Sequence, residues 1–250
     1  MTKTAIVTLA GSSSRFSKSI GYECHKSLYH DEKSSWTILS HHINLLCESG
    51  FDDIILIGGY KFEDVSAYIK QNFPDRPIRL FCNLHYADWG SCYSLVMGIQ
   101  QVKEDCESLV FLEGDLIFDT DNFKKLINLS GNAITANKML IDARTAVAFY
   151  ISESGQLKYV YDTKHQKLSV NESFTKIGNS GQVWKFSDIN KLKQVISQYK
   201  GPEFKQTNLK PIGDYYADVD CNDIPVVAFD VWFNCNTVTD YHLMKKYIER

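Results

Sequence analysis

A chain of 250 residues is long enough to bury a substantial core as one α/β domain. Its 27 basic and 30 acidic side chains leave a formal charge of −3, which excludes a bulk electrostatic footprint for nucleic acid. No apolar run approaches the roughly 20 residues of a membrane span. The N-terminus lacks a signal-peptide pattern, and seven irregularly spaced cysteines without a Cys-x-x-Cys pair point to reduced thiols in a cytoplasmic protein.

The first apolar run, Ala5–Ala10, includes Leu9 and stops at Gly11 and three hydroxyl residues, Ser12, Ser13 and Ser14. It reads as a buried parallel strand ending in a turn. Glycine there lets backbone N–H groups turn inward, and small side chains leave room for a phosphate to approach them. Arg15, and Lys26 a short loop further on, supply the positive charge that a triphosphate needs. The loop has neither the G-K-[ST] ending of a Walker loop nor Gly-x-Gly-x-x-Gly, and alone it reads rather as a tight strand-to-loop turn with two solvated cations, since Gly-Ser turns are common.

Downstream, Trp36–Ser49 places Ile38, Leu39, Ile43, Leu45 and Leu46 at helical spacing, and Gly50 suits its stop. Ile54–Ile57, Ile78–Cys82 and Leu109–Leu112 read as strands. Glu63–Asn72, Ser94–Val102 and Asp121–Leu129 read as helices, the last with Asp121 as its cap. This alternation predicts a mostly parallel central sheet with helices on both faces. After about Gly131 the pattern changes. Ala146–Ile151 and Gln156–Tyr161 read as a hairpin, Gln182–Phe186 and Val226–Val231 as strands, and Asp188–Tyr199 and Thr239–Ile248 as helices. Gly201–Tyr215, polar and carrying two prolines, reads as a mobile loop. With no interdomain linker, 1–250 is one domain, with a nucleotide-binding core over 1–130 and an acceptor-binding part over 131–250.

Ala10, Gly11, Arg15 and Lys26 match an opening strand, Leu-Ala-Ala-Gly-x-Gly-x-Arg and a later Pro-Lys, with Ser13 in place of the second glycine and His25 in place of the proline. Together with Asn83, Tyr86, Tyr93-Ser94-Leu95, Leu112-Glu113-Gly114-Asp115 and Phe233–Asp240, these motifs resemble, in order and over nearly the whole chain, the sugar-phosphate and phosphocholine nucleotidyltransferase family. The resemblance implies the Rossmann-like nucleotidyltransferase fold, related to that of the glycosyltransferase A enzymes, plus a smaller β-rich acceptor lobe. It also implies transfer of a nucleotide from a nucleoside triphosphate to a phosphorylated acceptor, with release of pyrophosphate. The segment from Asn83 to Ser94 is most similar to the cytidylyltransferase branch. CTP is therefore the expected donor, and phosphocholine or an aminoalkyl phosphate or phosphonate the expected acceptor, for surface polysaccharide or lipid decoration. A sugar 1-phosphate acceptor is the alternative within the family.

On this reading Leu9, Ala10, Gly11, Ser12, Ser13, Ser14, Asn83, Tyr93 and Ser94 hold the nucleotide, while Arg15 and Lys26 are catalytic. Mg²⁺ binds Asp115 and Asn236. The amide oxygen of Asn236 fits a magnesium ligand, but Asn234 and Asn236 equally fit turn residues bonded to nearby backbone. Thr237 or Thr239 reads as the cap of the last helix, with Asp240 favouring its first turn. Trp184, Tyr216, Asp218 and Asp220 are the candidates to face a cationic acceptor. Asp218-Val-Asp220 also allows a rival reading as the metal motif of a glycosyltransferase. Ser13, His25 and Asn236, each a departure from the family pattern, leave a non-catalytic nucleotide-binding regulator as a third. His30, His41, His42 and His85 have no metal-ligand spacing. A homo-oligomer stays open.

Overall fold

The computed structural model describes residues 2–32, 34–143, 146–162, 164 and 166–249. Four parallel strands lie side by side in the order β3 (Ile78–Cys82), β2 (Asp53–Gly58), β1 (Thr2–Thr8) and β4 (Cys106–Glu113). Beyond β4 the sheet continues through β9 (Phe174–Phe186), β6 (Ala133–Asn137) and β10 (Val226–Phe229), with β9 antiparallel to both β4 and β6. The start of β9 also pairs with β7 (Ala148–Ser152), which pairs in turn with β8 (Leu157–Val160) to form the predicted hairpin. A separate antiparallel pair joins β5 (Leu116–Phe118) to β11 (Trp232–Asn234).

Helices cover both faces because the central strands carry unbroken apolar runs, Ala5–Val7, Ile54–Ile57 and Leu109–Leu112, whose alternate side chains need burial on opposite sides. Ile6, Ile55, Ile57, Leu109 and Phe111 join one core with α4 (Ser91–Gln100), α6 (Ile189–Ser197) and α8 (Leu209–Tyr216). Ala5, Val7, Ile54, Leu56, Val110 and Leu112 join the other with α2 (Ile38–Glu48), α3 (Phe62–Asn72) and α5 (Thr120–Asn128). A smaller cluster of Phe16, Ile38, Ile117, Tyr241 and Met244 seats α1 (Ser14–Ile20) and α9 (Val238–Ile248) beside the β5–β11 pair. No described helix is long and apolar enough to cross a membrane.

Three local readings need correction. The expected mobile loop over Gly201–Tyr215 holds two helices, α7 (Gly201–Phe204) and α8, and Leu209, Ile212, Tyr215 and Tyr216 are buried. Pro211 falls in the first turn of α8, where a missing N–H costs nothing, so it does not break the helix. The α5 cap is Asp119 rather than Asp121: its carboxylate accepts from Asn122 N at 3.0 Å and from Asp230 N at 2.8 Å. Finally, β9 begins eight residues before the predicted strand, because its first part is exposed and carries no apolar alternation.

Candidate active site

Parallel sheets present ligands at the carboxyl ends of their strands, and the candidate site opens there. A cleft of about 240 Å³ lies over the ends of β1 and β4, lined by Leu9, Ala10, Gly11, Ser13, Lys26, Asn83, Ser94, Glu113 and Asp115 among others. A second hollow of about 200 Å³ adjoins it, lined by Gly11–Phe16, Lys26 and Asn236. Lys26 borders both. Its ammonium lies 2.6 Å from Asp115 Oδ2 and donates to the Cys235 carbonyl at 3.0 Å.

The loop carrying Lys26 is fastened from three directions. Ser27 Oγ donates to the Gly114 carbonyl at 3.0 Å, and Lys26 N donates to Ser13 Oγ at 3.1 Å. The buried His25 ring accepts from Ser27 N at Nδ1 and so donates from Nε2 to the Leu9 carbonyl at 2.9 Å. Burial holds this imidazole below its usual pKa, in the neutral form that both bonds require. His25 thus ties the lysine loop to the end of β1 where the resemblance has a proline. Ser13 sits at φ 54°, a left-handed conformation that explains a glycine in the family pattern. Its hydroxyl bond to Lys26 N offsets part of that conformational cost.

On the opposite wall Asn83 donates from Nδ2 to Ser94 Oγ at 2.9 Å, and its Oδ1 accepts from His85 N at 2.8 Å. Glu113 faces the same cleft and accepts from Asn208 Nδ2 at 2.7 Å. Burial first, and the neighbouring Asp115 second, push its carboxyl up to about 7.

A family model described as "Domain of unknown function (DUF6564)" matches residues 22–248. The chain belongs to that family. Its match starts after the glycine loop, so the reading of Gly11–Arg15 rests on the geometry above. The chain is 25% identical over 224 residues to a choline-phosphate cytidylyltransferase of Streptococcus pneumoniae (strain ATCC BAA-255 / R6), covering 85% of each protein. Its fold is similar to that of the inositol-1-phosphate CTP transferase from T. maritima (TM-score 0.67, 16% identity, 98% of this chain and 96% of that one). It is also similar to that of the CTP:phosphocholine cytidylyltransferase from Streptococcus pneumoniae (TM-score 0.64, 18% identity, 99% and 100%). A putative glucose-1-phosphate thymidylyltransferase from Bacillus anthracis aligns with TM-score 0.70 at 15% identity over 98% and 94%. The fold is therefore the nucleotidyltransferase fold, with its open sheet and helices on both faces.

Several expected site residues fall elsewhere. Trp184 is buried in the core, stacked on Phe111 with its indole N–H bonded to Tyr159 Oη, so it offers no face to an acceptor. Tyr216 is equally buried, and its hydroxyl donates to the Lys185 carbonyl. Asp218 and Asp220 are exposed on a turn after α8, where Asp220 accepts from Asn222 N, and they line neither hollow. That removes the support for a glycosyltransferase metal motif. Tyr93 packs edge-on against Trp89 with ring centroids 4.5 Å apart, and it is Trp89 and Tyr86 that reach the cleft. Thr237 caps α9 in a capping box with Asp240.

The sequence reading missed His25, Ser27, Trp89, Ser91, Glu113 and Asn208 as parts of this site. Asn208 N donates to Ser91 Oγ at 2.9 Å, and the α7 segment docks on the start of α4 through Gly90 N to the Phe204 carbonyl (2.9 Å) and Cys92 N to the Gln206 carbonyl (3.1 Å). A Cβ at Gly90 would stand 1.9 Å from the Gln206 oxygen, whereas one at Gly11 would meet nothing within 4 Å. Gly90→Ala is therefore expected to lower unfolding stability by about 2 kcal/mol through loss of this docking. Gly11→Ala should leave stability unchanged, and urea unfolding of both variants checks the contrast.

The donor set fits a hard divalent cation such as Mg²⁺. Asp115 Oδ1 is buried with no hydrogen-bond partner among the described residues, although its carboxylate borders the cleft. Asn236 donates from Nδ2 to Asn234 Oδ1 at 3.0 Å, and its amide oxygen accepts nothing from the described residues. These are oxygen donors of the kind magnesium takes beside phosphate and water. Cys235 N donates to the Asp115 carbonyl at 2.8 Å, which keeps the two segments adjacent.

Proposed function

We propose that this chain is a cytidylyltransferase that moves CMP from CTP onto a small phosphorylated acceptor with a cationic head, such as phosphocholine or an aminoalkyl phosphate or phosphonate. The observation that carries the proposal is the gathering of Lys26 and Asp115, 2.6 Å apart, between the glycine loop and the Asn83–Ser94 pair. A phosphate oxygen of the acceptor attacks the α-phosphorus of CTP, the bond to the β-phosphate bridging oxygen breaks, and pyrophosphate leaves. The acceptor phosphate is already ionised, so positioning and charge neutralisation supply the catalysis without a general base.

Arg15 and the Gly11–Ser14 backbone hold the outer phosphates in the smaller hollow. Lys26, at the junction of the two hollows, neutralises charge that develops at the α-phosphate. Asn83 and Ser94 read the base edge. Asp115 with Asn236 would hold the Mg²⁺, which when bound neutralises phosphate charge and polarises the phosphorus. With Trp184, Tyr216, Asp218 and Asp220 excluded, the Glu113 carboxylate takes over recognition of the acceptor's ammonium. The 25% identity to a choline-phosphate cytidylyltransferase supports the same acceptor class.

The test crosses four nucleoside triphosphates with phosphocholine, phosphoethanolamine, an aminoalkyl phosphonate and two sugar 1-phosphates in Mg²⁺. Pyrophosphate release is expected with CTP and a cationic acceptor. Release with sugar 1-phosphates alone would overturn the acceptor assignment, and no release with any pair would overturn the enzymatic reading.

A further inference from the structure

The Lys26 ammonium occupies the Asp115 carboxylate, the group that the reading above gives to the metal. Both side chains are mostly shielded, at 17% and 18% exposure, so bulk salt screens their attraction little. The pair is reinforced by the Cys235 carbonyl at 3.0 Å, which belongs to the segment carrying Asn236. A divalent cation entering the free protein would have to stand beside a positive charge or expel it from its partners. A triphosphate changes this balance, because Lys26 borders the hollow beneath Gly11–Arg15 as well as the cleft that holds Asp115. Phosphate oxygens in either space give the ammonium a new anionic partner without any backbone movement.

We infer that Lys26 is an internal counter-cation for Asp115, keeping divalent metal off the site until nucleotide draws the lysine away, so that metal and nucleotide load together. The inference rests on the reading of Asp115 as a metal ligand. It gives Lys26 a role in the free protein that is separate from its role in turnover. It also has an unusual consequence: removing the residue that supports catalysis should improve metal binding. By linkage, the same contact makes metal and nucleotide favour each other reciprocally.

The probe is Mn²⁺ titrated into the full chain without nucleotide, followed by loss of the free-ion EPR signal. Lys26→Met is expected to bind Mn²⁺ at least about tenfold more tightly than wild type, equivalent to about 1.4 kcal/mol. Lys26→Arg, which keeps the cation, should stay weak like wild type, and Asp115→Asn should abolish the tight binding when combined with Lys26→Met. With a non-hydrolysable CTP analogue, and the analogue alone as baseline, wild type should gain Mn²⁺ affinity by more than Lys26→Met does. Equal Mn²⁺ binding by wild type and a folded Lys26→Met would overturn the inference, as would tight binding that survives Asp115→Asn. Pyrophosphate release from the same wild-type sample separates the two claims. Its absence with the Mn²⁺ pattern intact would overturn the proposed reaction and leave the counter-cation role standing.

Discussion

Replacing Lys26 by alanine is expected to reduce CTP-dependent pyrophosphate release by about 10²–10³-fold in kcat, the usual effect of deleting one preorganised charge at a reacting centre. The reason lies in the placement of Lys26. Its ammonium is held at the junction of the two hollows by Asp115 and the Cys235 carbonyl, and its backbone is tied to the glycine loop through Ser13 Oγ. A cation on so short a tether is already in place when charge builds at the α-phosphate. The comparison that isolates charge is Lys26→Arg, whose rate should lie between those of wild type and alanine because a guanidinium keeps the charge but not the geometry. Thermal unfolding of all three checks that the lost rate is not lost structure. A wild-type rate in Lys26→Ala would remove the role assigned here.

Asp115→Asn is expected to be of similar size, about 10³-fold in kcat/KM at low Mg²⁺, with partial recovery as Mg²⁺ is raised. Substitution by asparagine keeps the volume and one oxygen but removes the charge, so a residue that served only the turn at Gly114–Asp115 would tolerate it. The orphaned Oδ1 gives this prediction its basis: a buried carboxylate oxygen without a donor represents unmet hydrogen-bonding capacity unless a cation takes it. The control is Asp218→Asn. That carboxylate is exposed on a turn outside both hollows and should show an unchanged rate. If the two variants behave alike, the metal assignment is wrong.

What could be read from the sequence was set by how strongly burial marks each segment. β1, β2 and β4 stand out because the stretches of a parallel strand buried on both faces form unbroken apolar runs, and the glycine or acidic residues that end them fall at one edge of the sheet. Gly11 and Asp115 are legible for that reason, each lying just beyond such an end, whereas Lys26, Asn83 and Ser94 are legible only through the ordered motifs of the family resemblance. The second half obscures its structure. The first part of β9 is exposed and glycine-containing, and α8 carries a proline that is harmless only because it sits in a first turn.

The errors at the site share one cause. Trp184 and Tyr216 have the chemistry of an ammonium site, but an aromatic ring on a strand or helix carries no mark of whether it faces a cleft or a core. Both proved to be core, with hydroxyl or indole donors satisfied internally. Glu113 was legible in principle. It is the last residue of β4, two before Asp115 in the turn that follows, so both lie at the carboxyl end of the strand where the cleft opens. Asn208 was not, since its place depends on how α7 docks against Gly90 across more than a hundred residues of chain.

Nucleotidyl transfer moves the α-phosphate, and following that phosphate tests the reaction itself. CTP labelled at that position is incubated with the chain, Mg²⁺ and phosphocholine, and the products are separated. Label is expected to move into a CDP-linked product in amounts equal to the pyrophosphate released. Label that stays in CTP, or appears only as free CMP across the whole acceptor panel, would contradict it.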